Sequence, residues 1–312
     1  MKVLSIDGGG IRGIIPAMML AEIEQRTGKR IWEIFDLIAG TSTGGLLALG
    51  LVAPDFDGKP LYSLEEIIEV YHCRGKEIFY ESPIESLLKT DDLLRPKYSS
   101  KGRKQVIRDM LGRENLDQAL TNIIIPAYDI AQRIPVFFSN SHKRGKSFEK
   151  VCSGVTMAEA AMATTAAPIF FEPYRIGNRV LVDGGVFANN PSAIAIAEAT
   201  TVANRADILL ISLGTGHLTR KYSYEQSRNW GLVNWLDPLI NIMLDGTSES
   251  VAIQLEYSLQ ESQYYRFQVA LNDANDALDD CSATNIQNLQ VLAKEAIAQN
   301  TDKIDELCNR LK

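Results

Sequence analysis

The sequence predicts an α/β fold, a mainly parallel central sheet covered by helices. Three observations predict it. Short β-rich runs alternate with amphipathic stretches from the first residues onward, which is the pattern of βαβ units. Glycine-rich turns stand where runs of the first kind give way to the second. The 312 residues are 46% apolar and 23% charged, as in ordinary globular chains, which excludes disorder, collagen-like structure and a polytopic membrane protein.

Taken in order, Val3 to Ile6 reads as a strand, Ile14 to Arg26 as a helix, Phe35 to Ala39 as a second strand and Gly44 to Val52 as a second helix. Further strands are expected at Asn122 to Tyr128, Pro135 to Ser139, Arg179 to Val182 and Ile208 to Leu213, with a last one near Tyr264 to Val269. Thr156-Met157-Ala158-Glu159 has the spacing of a capping box and opens an alanine-rich helix, and Asn190-Pro191 opens a helix over Ser192 to Thr200. No internal repeat or low-complexity tract interrupts the chain. The stretches around Pro54 to Pro60 and Arg95 to Arg103 read as surface excursions rather than linkers. A single domain over 1–312 is expected, with a motif-bearing core at about 3–216 and a helical, aromatic segment and C-terminal helix over 217–312 packed on it.

The formal charge of −7, from 32 basic and 39 acidic residues, gives no support to nucleic acid as a partner. Cys73, Cys152, Cys281 and Cys308 stand far apart with no C-x-x-C pair, so free thiols in a reducing compartment are expected rather than disulfides or zinc. Met1-Lys2 leads directly into the first strand, leaving no room for a secretory leader, and a cytoplasmic location is expected. The uncharged run Leu37 to Pro54 is interrupted by Thr41, Ser42, Thr43 and several glycines, which suits a buried turn better than a membrane span.

Gly8-Gly9-Gly10-Ile11-Arg12-Gly13 fits the G-x-G-x-x-G pattern of a dinucleotide-binding turn. Such a site also needs an acidic residue at the end of the second strand to hold a ribose. Here the second strand ends instead in Gly40-Thr41-Ser42-Thr43-Gly44, the G-x-S-x-G pattern of a nucleophile elbow. A strand stopping at Gly40 and a helix starting near Gly44 would hold the Ser42 hydroxyl exposed on a tight turn, with a helix N-terminus behind it to favour negative charge.

A serine hydroxyl needs a neighbouring base. The histidines are His72, His142 and His217, and His217 follows a strand late in the chain, as in a Ser-Asp-His triad. That arrangement would require several strands before the nucleophile, whereas one strand and one helix precede Ser42. The other candidate base is Asp183, at the end of the strand Arg179 to Val182. Gly184-Gly185 follow it and would let the backbone pass close to a neighbouring strand end.

Four motifs in this order resemble the patatin-like phospholipases nearly end to end: Asp7-Gly8-Gly9-Gly10-Ile11-Arg12-Gly13, Gly40-Thr41-Ser42-Thr43-Gly44, Asp183-Gly184-Gly185 and Ser212-Leu213-Gly214-Thr215-Gly216. Thr164-Thr165-Ala166-Ala167-Pro168 and Leu278-Asp279-Asp280 are similar to plant patatins as well. The resemblance implies a three-layer patatin-like fold and a Ser-Asp dyad without histidine. In it Ser42 is the nucleophile, Asp183 its base, and the Gly8, Gly9 and Gly10 amides with Arg12 form the oxyanion loop. Plant patatins typically have Asp-Gly-Ala where this chain has Asp183-Gly184-Gly185. The implied reaction is two-step hydrolysis of fatty-acyl esters through an acyl-enzyme, with no cofactor and no metal. The partner implied is a phospholipid or glycolipid at a membrane or micelle surface.

An EF-hand reading of Asn272-Asp273-Ala274-Asn275-Asp276 fails because the sixth position counted from Asp273 is Leu278 and not glycine, so calcium independence is expected. The apolar stretch Asn229 to Leu236, continuing through Leu239, Ile240, Ile242, Met243 and Leu244, reads as core packing, with an acyl tunnel or bilayer contact as the alternative. Arg95, Lys97, Lys101, Arg103 and Lys104 read as a solvated loop, with attraction of lipid headgroups as the alternative. A non-catalytic lipid-binding module would be expected to have lost the serine, the aspartate or the glycine loop, and all three are present.

Overall fold

The computed structural model describes residues 1–80, 95–141, 149–151, 153–217, 221–272 and 274–312. The elements follow the expected order: β1 (Lys2–Ile6), α1 (Ile14–Thr27), β2 (Leu37–Gly40), α2 (Thr43–Val52), α3 (Leu64–Ile78), α4 (Ser100–Leu111), β3 (Asn122–Asp129), β4 (Ile134–Ser139), β5 (Glu149–Val151), α5 (Met157–Thr164), β6 (Tyr174–Ile176), β7 (Arg179–Asp183), α6 (Ser192–Ala199), β8 (Leu209–Leu213), α7 (Leu232–Ser258), β9 (Tyr264–Phe267), α8 (Ala283–Gln299) and α9 (Thr301–Leu311).

The strands form one sheet in the order β5-β4-β3-β2-β1-β8-β9, with β7 added to β3 and β6 to β7. The centre, β3-β2-β1-β8-β9, is parallel throughout. Side chains alternate between the two faces, so each face needs its own cover. Leu4, Ile6, Ile38 and Ile211 pack with α1, α2, α3, α8 and α9 in the larger core. Val3, Leu37, Ala39, Ile124 and Leu210 face the other way, against Ala195 and Ile196 of α6 and Leu255 of α7. The result is the expected mainly parallel α/β fold in three layers, with α8 and α9 packed against α1.

Two expectations need correction. Arg95 to Arg103 is not wholly a surface excursion, because Ser99 caps α4 by accepting the Lys101 N–H at 3.4 Å and the helix starts at Ser100. Arg103 shares the inward face of that helix with Val106, Ile107 and Met110 and is only 1% exposed. The stretch Asn229 to Leu244 is not core: in the first half of α7, Leu232 is 90% exposed, and Val233, Leu239, Ile242 and Met243 are exposed too. Among the described residues its apolar stripe finds too few partners to cover it. No described helix is long and apolar enough to cross a membrane. Cys73 is exposed while Cys281 and Cys308 are buried, and all three are free; Cys152 lies outside the described residues.

Candidate active site

The sheet topology brings Ser42 and Asp183 together. β2 runs parallel to β3 and pairs with its first residues, ending at Ala39 opposite Ile124. β7 runs antiparallel to β3 and pairs with its last residues, ending at Asp183 opposite Ala127. The two strands thus approach each other along the same edge of β3. They stop on either side of Pro126, which has no N–H for a ladder and stands where the partner changes.

Beyond β2 the chain turns sharply into α2. A Cβ on Gly40 would lie 2.2 Å from Gly44 O, and one on Gly44 would lie 2.4 Å from Ile6 O, so the turn closes only with glycine at both positions. Ser42 itself has φ 55 and ψ −121, a sparsely populated conformation for a residue with a side chain. Its neighbours are tied down: Gly44 N–H donates to Thr41 O at 2.8 Å, and the Thr41 hydroxyl donates to Ala188 O at 2.6 Å.

Ser42 Oγ donates to Asp183 Oδ2 at 2.6 Å. The other carboxylate oxygen, Oδ1, accepts the Gly185 N–H at 2.7 Å, which orients the group. Burial pushes the Asp183 carboxyl up to about 6, against the opposing pull of the Ser42 and Gly185 hydrogen bonds and the Arg103 charge. A carboxylate in that range is a stronger base than a solvated aspartate, yet is ionised at neutral pH.

The glycine loop runs beside this pair. A Cβ on Gly8 would come 3.2 Å from Ser42 Cβ. The Gly8 N–H donates to Asn189 O at 3.0 Å, so it holds the loop in place and is not open to an oxyanion, a correction to the expected set of donors. Among the described residues no protein acceptor engages the Gly9 or Gly10 N–H, and both residues line the cavity beside Ser42. Gly10 has φ +58, and a Cβ there would lie 2.1 Å from Leu278 O. Arg12 is buried, and its Nε donates to Gly9 O at 3.3 Å. Because a trans peptide is planar, fixing the Gly9 carbonyl fixes the Gly10 N–H on the opposite side. Arg12 therefore orients the loop.

Ser42 and Asp183 open onto a cavity of about 300 Å³. Its walls are mainly apolar, with Leu46, Ile67, Ile107, Met110 and Phe171 among the lining residues together with Ile240, Met243 and Leu244 of α7. The histidine of the alternative triad, His217, is exposed at a bridge to Ala270 and does not line the cavity. His72 is exposed on α3, and His142 lies outside the described residues. Gly184 packs against Pro126, where a Cβ would lie 2.4 Å from its carbonyl oxygen. Lys97 pairs with Asp279, and Tyr98 donates to the same carboxylate at 2.8 Å, so part of the expected basic loop is spent on the segment that buttresses Gly10.

Sequence reasoning placed Arg103 in a solvated basic loop, whereas its guanidinium stacks 4.3 Å from the Phe171 ring centroid and lines the cavity. Its signal was the spacing to Val106, Ile107 and Met110. Among the described residues no three His, Cys, Asp or Glu side chains converge as a metal site would require; Asp273 of the rejected EF-hand stretch lies outside them.

Comparison with known proteins gives a consistent family. Residues 4–196 match the family model described as patatin-like phospholipase. Patatin-like protein 2 of Oryza sativa subsp. indica is 33% identical, the match covering 98% of this chain and 85% of that protein. Patatin-like protein 2 of Arabidopsis thaliana is 34% identical, over 94% and 81%. A Solanum tuberosum protein named probable inactive patatin-3-Kuras 1 is 32% identical, over 98% and 90%. Among solved structures, that of VipD from Legionella pneumophila aligns over 95% of this chain and 67% of its own with a TM-score of 0.39 at 12% identity, too low for the likeness to carry an argument.

Proposed function

The chain belongs to the patatin-like phospholipase family, and from that premise we propose that it is one patatin-like domain acting as a serine lipid acyl hydrolase of the phospholipase A or lysophospholipase type. The observation that carries this reading is the 2.6 Å hydrogen bond from Ser42 Oγ to Asp183 Oδ2 at the wall of an apolar cavity.

In this reading the fatty-acyl chain lies in the cavity and presents its ester carbonyl to Ser42. Ser42 Oγ attacks the carbonyl carbon while its proton passes to Asp183 Oδ2. Negative charge developing on the carbonyl oxygen is met by the Gly9 and Gly10 N–H groups and by the N-terminus of α2. Collapse expels the alcohol portion of the lipid, which takes the proton from Asp183. Water then attacks the acyl-enzyme while Asp183 accepts its proton; collapse breaks the Ser42 Oγ–acyl bond, releases the fatty acid and returns the proton from Asp183 to Ser42 Oγ. The residues assigned to these steps need no metal, and calcium independence is part of the proposal.

The first half of α7 supports a peripheral association with lipid. The same helix that lines the cavity with Ile240, Met243 and Leu244 exposes Leu232, Val233, Leu239 and Ile242, so the apolar face is continuous with the cavity wall. Resting that face in a lipid surface would set the cavity beside the acyl chains.

Ser42→Ala tests the reading. Loss of the nucleophile is expected to lower hydrolysis of p-nitrophenyl esters by about 10³-fold or more with the circular dichroism spectrum unchanged. Near wild-type rates in a folded variant would exclude Ser42 as nucleophile. Lipid binding without turnover in the wild type would favour the non-catalytic module, the reading that the potato relative's name brings to mind.

A further inference from the structure

Strained turns persist only where their surroundings hold them. Part of what holds Ser42 comes from an element with no other evident part in the chemistry, the end of α5. The Ser42 N–H donates to Thr164 Oγ1 at 2.9 Å, and the same hydroxyl donates to Pro126 O at 2.6 Å. Thr164 is fully buried, and a Cβ on the facing Gly45 would lie 2.9 Å from its Cγ2, so the side chain has little room to shift. Two residues on, Ala166 O accepts the Asp183 N–H at 3.0 Å. Residues 164–166 thus grip the backbone of Ser42 and that of Asp183 at once.

This short segment is itself pinned. The Thr165 hydroxyl donates to Ala161 O at 2.6 Å and accepts from Arg103 Nη1 at 3.1 Å. Arg103 Nη1 also lies 3.4 Å from Met162 O, in the last turn of α5. The clamp therefore ties together three strands, the turn after β2 through Ser42, the middle of β3 through Pro126 and the end of β7 through Asp183.

We propose that Thr164 is a positioning residue for the hydrolysis, its hydroxyl fixing the strained Ser42 turn to β3 so that Ser42 Oγ stays within reach of Asp183. The inference rests on the reading of Ser42 and Asp183 as the reacting pair. A side chain at this position must accept one hydrogen bond and donate another in a buried space the size of threonine. Serine meets the polar requirement, valine meets only the volume, and cysteine forms both bonds weakly. Misplacement of a reacting group by about 1 Å costs about 10²-fold in rate, whereas Thr164 itself does not line the cavity, so its replacement leaves the cavity walls chemically unchanged.

The test is a graded series, Thr164→Ser, Thr164→Cys and Thr164→Val, assayed on a soluble p-nitrophenyl ester beside Ser42→Ala. Expected are a kcat for Thr164→Ser within about 3-fold of wild type, a fall of about 10- to 100-fold for Thr164→Val, and Thr164→Cys between them, with KM changed by less than about 2-fold throughout. The rate of covalent labelling by a fluorophosphonate is expected to fall by the same factors as kcat. Should the valine variant fail to fold by circular dichroism, the cysteine-to-serine comparison carries the test. A folded Thr164→Val with wild-type kcat, or equal losses in the serine and valine variants, would overturn the inference while leaving an inactive Ser42→Ala in place. Wild-type activity in Ser42→Ala would overturn the reading beneath it.

Discussion

At the end of the sheet, the N–H groups of Thr41, Ser42 and Gly44 all have acceptors inside the protein, whereas the first half of α7, which lines the same cavity, turns Leu232, Val233, Leu239, Ile242 and Met243 to solvent. The first region stores conformational strain and over-determines it. The second leaves apolar surface uncommitted, at a cost to solubility that folding alone does not require. The contrast separates two tasks of a lipid hydrolase: the reacting atoms must be held to fractions of an ångström, while the surface that meets a fluid assembly of lipids needs only area and apolar character. Substitutions in the two regions should therefore fail differently.

The largest effect lies in the rigid region. Asp183→Asn keeps the shape of the side chain and removes the base, so kcat is expected to fall about 10²- to 10⁴-fold. In the wild type the base must be ionised, so kcat/KM on a soluble ester is expected to rise with pH through about 6 and to level off above it. Stability should move the opposite way. The folded carboxyl titrates near 6 and the unfolded one near 3.8, so between these values the folded state binds more proton, and stability falls as pH rises through that window. A shift of this size is worth about 3 kcal/mol. Asp183→Asn should accordingly be more stable than wild type by about 1–3 kcal/mol at pH 8, and the gain should vanish near pH 4, as read by denaturant unfolding. A variant that loses both activity and stability at pH 8 would mean that Asp183 is held there for the fold alone.

A smaller, substrate-dependent effect is expected in the exposed region. Leu232→Asp combined with Ile242→Asp should leave hydrolysis of a soluble short-chain ester unchanged and lower the rate on phosphatidylcholine vesicles by about 10-fold, since each change removes apolar area from the proposed lipid contact. Equal losses on both substrates would place these residues in the catalytic architecture instead. The smallest effect is that of chelation: EDTA is expected to leave the soluble-ester rate unchanged, and complete loss restored by calcium would contradict the proposed mechanism.

How much was legible in the sequence follows the same division. Local patterns revealed most of the elements, because apolar runs such as Val3 to Ile6 and glycine turns such as Gly40 to Gly44 carry their structural reason within a few residues. Ser42 and Asp183 could each be singled out as a strand end beside glycine. Their contact could not be derived that way, because it depends on β7 replacing β2 along β3, a pairing between residues far apart in the chain. Thr164 was visible only as part of a family-like stretch, since a threonine at a helix end looks like any other until its two partners are known. Arg103 was misread because basic neighbours masked its place on the apolar face of α4. The first half of α7 was misread for a related reason: periodicity reveals that a stripe is apolar but not whether the fold supplies something to cover it.

The most direct measurement of the central claim, that Ser42 is activated by Asp183 without a histidine, is the rate of fluorophosphonate labelling followed by intact mass and peptide mapping. One adduct on Ser42 is expected in the wild type, none in Ser42→Ala, labelling slowed by at least about 10²-fold in Asp183→Asn, and a wild-type rate in His217→Ala. Labelling abolished by His217→Ala and unaffected by Asp183→Asn would contradict it.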